Sequence, residues 1–349
     1  MSTSPTVPTA PSDLTRILAL CRQRVAEEVD RRLPRGEPRQ WLYDPMADYP
    51  HRAGKALRAT LCLASRDAFG GAHDDALTVA AAIELAHCAF LVHDDIQDGS
   101  LTRRGGPTLH RREGVPLALN AGNALALVSV DALRAGCGRF GHRLSGRILD
   151  EFRAAVWRTL EGQALELGWR RDGVVDLSAH GYLAMVLGKT CWYTTIAPLR
   201  VGALIGSRGS ADLAAMSRFG LFLGAAFQIT DDVLNVTGGE AVYGKEIRGD
   251  LREGKRTLML IHLLTVAEPQ DRHALVDLLR RPDERTDEQT AWVLGLFLRY
   301  GSITFAQDFA RGVADAAAAA FPEAFRGAPH PDHADAIRDL VNYMIERTH

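Results

Sequence analysis

Two long apolar runs in this chain each end in aspartates, and that constrains the fold more than any other feature. Ala81–Val92 reads AAIELAHCAFLV and leads into HDDIQD, with Asp94, Asp95 and Asp98; Ala225–Val236 reads AAFQITDDVLNV and carries Asp231 and Asp232. Carboxylates at the end of a buried segment are very costly without partners. Two such segments suggest two acidic walls facing one pocket. If the first is helical, Asp94 and Asp98, four residues apart, share a face, and Asp95 sits about 100° round from Asp94. Like charges at that spacing repel unless a cation lies between them. Hard oxygen ligands without histidine or thiolate at matching spacing suggest Mg²⁺ rather than zinc. Mg²⁺ is usually held by one or two carboxylates together with substrate phosphates, so the acids imply a phosphorylated substrate. Arg103 and Arg104 follow at once, and arginine recognises phosphate bidentately.

The rest of the chain reads as helix. Segments such as ALTVAAAIELAHCAFLV, LDEFRAAVWRTLEGQALEL and FAQDFARGVADAAAAAF are long and rich in alanine or leucine, and clear alternating strands are absent. The expected fold is all-α: a single large helical bundle over 13–349 around a central apolar cavity, behind a Ser/Thr/Pro-rich, disordered tail at 1–12. A net charge of −2 gives no reason for whole-protein binding to nucleic acid or to a membrane surface. The five cysteines are scattered without a CxxC, which fits buried thiols in a reducing cytoplasm. The N-terminus does not read as a signal peptide, and no uninterrupted apolar run reaches the roughly 18 residues of a membrane span, so stable membrane insertion is not expected.

Further clusters leave two readings each. Lys55 and Arg58 share a helix face just after Gly54, as an anion site or a solvated basic turn. His87 lies two turns before Asp94 on the same face, as a ligand contact or a satisfied core histidine. Lys189 and Thr190 interrupt an apolar helical pattern; a buried lysine needs a partner, either a phosphate or a carboxylate from a neighbouring helix. After the second acidic pair comes YGKEIRGDLREGKRT, with Lys245, Arg248, Arg252, Lys255 and Arg256, a solvated loop or a lid whose lysines reach metal-bound phosphates.

Taken together these residues resemble the trans-isoprenyl diphosphate synthases of the polyprenyl synthetase family, from about Leu42 to the C-terminus. That family's GKxxRP motif matches Gly54, Lys55 and Arg58, with Ala59 in place of proline. DDIQD and Arg103-Arg104 match its first aspartate-rich motif, and Lys189-Thr190 its KT motif. Gln228, Asp231 and Asp232 match the second aspartate-rich motif, with Asn235 in place of the usual last aspartate, and Lys245 and Lys255 match the closing lysines.

The resemblance implies that Lys55, Arg58, His87 and Arg104 hold the diphosphate of isopentenyl diphosphate. It implies that Asp94, Asp98 and Asp231, with Asp95 and Asp232 in support, bind Mg²⁺ against an allylic diphosphate. Arg103, Lys189, Lys245 and Lys255 would contact that same diphosphate. Thr190 and Gln228 would stabilise the allylic cation through oxygen dipoles. Asn235 would offer its amide oxygen to a metal-bound water. No side chain stands out as the base; in the family the departing diphosphate takes the proton. Ala89 and Phe90, one turn before Asp94, would set chain length: alanine leaves space and phenylalanine partly closes it, giving geranylgeranyl diphosphate ahead of farnesyl or longer products. The resemblance also implies a homodimer. A class I terpene cyclase and a non-catalytic synthase subunit are the rivals; the first has no use for an isopentenyl diphosphate site, and the second typically loses a motif retained here.

Overall fold

The computed structural model describes residues 13–52, 54–71, 76–238, 248–281 and 285–345, with side chains from residue 18. The tail at 1–12 and Lys245 lie outside the described residues. The chain runs α1 (Asp13–Arg32), a π-helical turn (Arg39–Tyr43), α2 (Asp44–His51), α3 (Leu57–Ala68) and α4 (Leu77–Asp98), then a short hairpin of β1 (Thr102–Arg103) and β2 (Gly106–Pro107). Next come α5 (Leu109–Glu113), α6 (Val115–Cys137), α7 (His142–Arg171), α8 (Ala179–Val186), a π-helical stretch (Leu187–Ile196), α9 (Ala197–Gly206) and α10 (Leu213–Thr237). It closes with α11 (Gly249–Glu253), α12 (Leu258–Val266), α13 (Pro269–Leu279), α14 (Asp287–Arg299), α15 (Ser302–Ala324) and α16 (Pro331–Ile345). The all-α expectation is met; the hairpin is the one sheet among the described residues.

Helix α4 is apolar on nearly every face, so it can only be stable when surrounded. It packs most extensively on α6, and α10 on α15 and the π-helical stretch. One apolar cluster gathers Leu85, Cys88, Val92, Leu125 and Leu133 around α4 and α6. A second holds Tyr182, Ile229, Leu263 and Phe297, and a third Leu61, Phe219, Phe321 and Ile337. Each large side chain buried in this way contributes about 1.5–3 kcal/mol.

Two local features place the chemistry. Helix α4 stops at Gly99, whose left-handed φ of 66° lets its N–H and that of Ser100 both return to the Asp95 carbonyl. The acids therefore occupy the last turn. Between α8 and α9 the helix widens to π geometry just before Pro198, and Ala197 N–H reaches back to Trp192 O. A proline ring collides with the carbonyl four residues earlier, and a π register relieves that collision. The widened stretch lies against α7 at Gly162, where an added Cβ would stand 2.1 Å from Lys189 N.

Contrary to the reading of uninterrupted apolar runs, α4, α6 and α10 are long and apolar enough, by length and composition, to cross a membrane. Isolated polar residues break the runs in sequence without lowering the average enough. Helices α4 and α10 bury most of their apolar windows within the bundle, but only 33% of the α6 window is buried. Its Leu119, Leu127 and Val130 are exposed, as are Trp157 and Leu160 on α7.

Candidate active site

The C-terminal turns of α4 and α10 meet at a cavity of about 510 Å³, walled also by α7, α8, the π-helical stretch and the segment before α3. Charged side chains such as Asp94, Asp231 and Arg104 and apolar ones such as Phe90, Met185 and Phe227 line it together, as an apolar cavity between two acidic walls was expected to look. Of the sequence-derived site residues, Lys55, Arg58, His87, Phe90, Asp94, Arg103, Arg104, Lys189, Thr190, Gln228, Asp231, Asp232 and Lys255 all line it.

The first acidic motif divides its labour. Asp94 faces the cavity, with Gln163 Nε2 at 3.3 Å and Lys189 Nζ at 3.7 Å. Asp95 points away, as its 100° offset requires. It is fully buried, outside the cavity lining, and accepts from Tyr49 Oη at 2.5 Å and from Arg103 Nε at 3.0 Å. Asp95 is therefore a strut that anchors α4 to the hairpin arginine, in a supporting place behind Asp94. Arg103 is committed to it, and the pairing outweighs the opposing effect of burial to raise the guanidinium pKa. Asp98 also lies outside the lining, its carboxylate bound by Arg170 Nη1 at 2.6 Å and Lys255 Nζ at 2.8 Å. Lys255 reaches Glu253 and Asp250 as well, at 3.0 and 3.2 Å. Burial opposes its charge, but these carboxylates hold its pKa well above the usual lysine range.

The second motif repeats the plan. Asp231 faces the cavity. Asp232 is held by Tyr182 Oη at 2.8 Å and Gln228 Nε2 at 2.7 Å, both neutral donors. Burial first, then the nearby Asp250 and Asp231 carboxylates, push its carboxyl up to about 8 against those donors. Asn235 does not face a metal position. It is fully buried, and its Oδ1 accepts from Asp250 N at 3.1 Å while its own carbonyl accepts from Arg248 N at 2.7 Å. It stitches α11 to α10, which corrects the expectation of a second-sphere metal contact. Asp250, brought to the cavity by that stitch, is an acid the motif reading missed. Its only local signal is that it is one of two acids, with Glu253, in the basic stretch RGDLREGK.

The cationic wall is built by the hairpin. Arg104 and Gly105 form its two-residue turn with φ of 50° and 76°, the doubly left-handed geometry of hairpin turns. Adjacent arginines consequently diverge: Arg103 turns to Asp95, and Arg104 donates to Tyr49 O at 3.0 Å beside Gly54. Arg58 lies over the Tyr193 ring, 4.4 Å from its centroid, and donates to Thr194 Oγ1 at 2.8 Å. His87 joins them. Burial, then the charges of Arg58 and Arg104, hold its pKa well below the usual histidine range, so it is neutral. Its Nδ1 is buried with no hydrogen-bond partner among the described residues, an atom left open for an anion.

The π-helical stretch supplies the remaining polar groups. Lys189 Nζ donates to Glu166 Oε1 at 2.7 Å, the carboxylate partner that sequence left as one of two options. Burial opposes its charge, but Glu166 and Asp94 outweigh that and raise its pKa. Thr190 Oγ1 donates to Gln228 Oε1 at 2.8 Å. Deeper, Phe90 meets Tyr193 edge-on at 5.4 Å, and beyond them is a small apolar pocket of Ala86, Phe152, Val156 and Val201. Ala89 lines neither space. It is 1% exposed within the α4–α6 cluster; Tyr193 stands with Phe90 between the two spaces, and Ala86 lines the smaller one.

The donor set fits a hard divalent cation shared with phosphate. Among the described residues no group of three ligating side chains comes together as a complete cage, which is how Mg²⁺ sites that rely on substrate oxygens look. Burial and the neighbouring Asp250 and Asp231 carboxylates raise the Asp232 pKa at the second wall.

Comparison with known proteins agrees with this geometry. Residues 39–295 match the family described as Polyprenyl synthetase. A short chain isoprenyl diphosphate synthase of Methanothermobacter thermautotrophicus is 34% identical over 85% of this chain and 87% of its own length. The crystal structure of a geranylgeranyl pyrophosphate synthetase from Pyrococcus horikoshii superposes with a TM-score of 0.83 at 31% identity, covering 95% of this chain and 98% of that one. A geranylgeranyl pyrophosphate synthase from Corynebacterium glutamicum, complexed with isoprenyl diphosphate and magnesium, superposes at 0.84 with 25% identity, covering 96% and 100%.

Proposed function

This chain belongs to the polyprenyl synthetase family and is a prenyltransferase, and we propose that it condenses isopentenyl diphosphate with an allylic diphosphate to make geranylgeranyl diphosphate. One observation carries the reading: acidic and cationic walls face each other over a single cavity whose depth is closed by Phe90 and Tyr193. Lys55, Arg58 and Arg104 bind the diphosphate of isopentenyl diphosphate by charge, and neutral His87 by a ring nitrogen. Asp94, Asp98 and Asp231 would hold Mg²⁺, and Arg170 and Lys255, which now bind Asp98, would then serve the allylic diphosphate. Bound Mg²⁺ supplies the charge neutralisation that turns that diphosphate into a leaving group.

Lys189, held by Glu166, and Lys255 contact the same phosphate oxygens, as does Lys245 by its match to the family's closing lysine. Thr190 Oγ and the Gln228 amide oxygen direct lone pairs at the allylic carbon as positive charge develops there. Phe90, Met185, Tyr193 and Phe227 line the apolar part and keep water from the cation. The alkene then attacks, and the released diphosphate accepts the proton.

Leu119, Leu127 and Val130 are exposed on α6, and Trp157 and Leu160 on α7, and a second copy of the chain is the partner we place on these apolar side chains. The free cysteines, four of them buried, suit a reducing compartment such as the cytoplasm.

The test is a product assay on purified protein with Mg²⁺, labelled isopentenyl diphosphate, and dimethylallyl, geranyl or farnesyl diphosphate in turn, with chain lengths read by mass spectrometry. A dominant C20 diphosphate is expected. C15 or much longer products would overturn the chain-length reading, and no condensation with any starter would overturn the reaction.

A further inference from the structure

We infer that Tyr182 is a positioning residue whose hydroxyl, through Asp232, fixes which end of the Gln228 amide faces the reacting centre. Tyr182 sits on α8 and is 1% exposed. Its Oη donates to Asp232 Oδ2 at 2.8 Å. Gln228 Nε2 donates to the other carboxylate oxygen at 2.7 Å. Thr190 Oγ1 then donates to Gln228 Oε1 at 2.8 Å. The order of donors follows from chemistry. The Gln228 NH₂ can only donate and the Tyr182 hydroxyl has one proton to give, and each faces its own oxygen of Asp232. Gln228 thereby directs its NH₂ toward Asp232 and its carbonyl toward Thr190. Thr190 in turn places its single proton on that carbonyl, and the lone pairs left on both oxygens remain for a cation.

The relay is one-way and depends on its far end. Without the Tyr182 hydroxyl, one oxygen of a buried carboxylate loses its donor, a costly state. The carboxylate relaxes by turning toward its remaining donor, the Gln228 NH₂ follows it, and the Thr190 contact breaks. A reversed amide would present N–H dipoles to a developing positive charge, which opposes ionisation. Tyr182 acts on the reaction in this way without its hydroxyl touching the substrate. Phe at this position would fill the same space, so packing alone gives it no such role.

The inference rests on the reading that Thr190 and Gln228 face the allylic cation, and the experiment separates the two. Geranyl thiolodiphosphate has an uncharged chain; its aza counterpart carries an ammonium at the allylic position and mimics the cation. Calorimetry with Mg²⁺ gives the preference for the second over the first in wild type, Y182F, T190V and the double variant, alongside kcat and thermal unfolding. Y182F and T190V should each lower the ammonium preference and kcat by about tenfold, the weight of a hydrogen bond to a charged group. Affinity for the thiolodiphosphate should stay within about twofold, and the double variant should be no worse than either single one, as residues in one network behave. p-Aminophenylalanine at 182 still donates and should restore the preference. It is decisive in place of Y182F if that variant does not fold, and loss of preference in it overturns the relay. If T190V loses the preference and Y182F keeps it, or if the two effects add, the relay is overturned alone. If T190V keeps the preference, the reading of Thr190 and Gln228 fails and the relay with it.

Discussion

Replacing Phe90 with alanine should lengthen the product. The Phe90 ring stands edge-on to Tyr193 at 5.4 Å, and both residues line the main cavity on one side and the small pocket of Ala86, Phe152 and Val156 on the other. Removing the ring joins the two spaces along the face of α4 that carries Asp94. One further isoprene unit has five carbons. At about 0.8 kcal/mol per buried carbon group, its burial contributes about 4 kcal/mol. At 1.4 kcal/mol per decade that is a factor of several hundred in favour of the longer chain. The cost to folding should be at or below about 3 kcal/mol, because full burial sets the 3–5 kcal/mol range for Phe→Ala and Phe90 is only half-buried. The assay is mass spectrometry of products from farnesyl diphosphate and isopentenyl diphosphate, with C25 or longer expected from F90A. Ala89→Phe is the paired control. Ala89 packs among Leu85, Cys88 and Val92, away from the cavity. Enlarging it should overpack the core by about 1–3 kcal/mol and lower Tm without shortening the product. An unchanged product from F90A, or a shorter one from A89F, would refute the floor.

Asn235→Asp, which restores the usual family motif, should lower Tm and give no gain in kcat, because it places a carboxylate in a fully buried position whose Oδ1 already accepts from the Asp250 backbone; a loss of about 3 kcal/mol is expected in urea unfolding, and a faster enzyme would contradict the stitch. His87 has a folded pKa below its unfolded value, so its contribution to stability is present above about pH 6.5 and is lost as pH falls toward the folded pKa. Wild type should therefore lose up to about 1.4 kcal/mol per pH unit more than H87Q between about pH 6.5 and pH 5, and parallel urea-stability curves would count against a buried neutral ring. Because no complete metal cage exists among the described residues, Mg²⁺ alone should barely raise Tm, whereas Mg²⁺ with inorganic diphosphate should raise it by several degrees; a large shift with Mg²⁺ alone would point to a preformed site.

The parts of this site that sequence made legible are those set by helical spacing. Asp94 and Asp231 face one cavity because apolar helices end there, and His87 shares Asp94's face at two turns. What sequence did not disclose is where the remaining side chains of each motif go, since that depends on partners far along the chain. Asp95 meets Tyr49, 46 positions away, and Arg103 through a hairpin turn. Asn235 looked like a weakened ligand because the backbone N–H it caps belongs to a segment 15 positions on. The widening at Leu187–Ile196 leaves one trace, Pro198, and the stretch carries Tyr193 to the cavity lining. Ala89 lies off the cavity because its angle around α4, and not its distance from Asp94, sets its place.

The two acidic motifs are alike in plan and unlike in charge. In each, a tyrosine holds the second aspartate, Tyr49 on Asp95 and Tyr182 on Asp232. On α4 the buried acid also has a guanidinium, Asp98 has Arg170 and Lys255, and Asp94 has Lys189 within 3.7 Å. That wall is already compensated by the protein. On α10 the buried acid is met by neutral donors alone, with two further carboxylates near enough to raise its pKa. A cation entering the cavity therefore gains more at the second wall, where it relieves repulsion, than at the first, where it must displace lysine and arginine. Those displaced groups are the ones that then need an anion. In the proposed reaction the two ligands would thus be coupled: Asp98 would be open to Mg²⁺ once a diphosphate takes Lys255 and Arg170 from it.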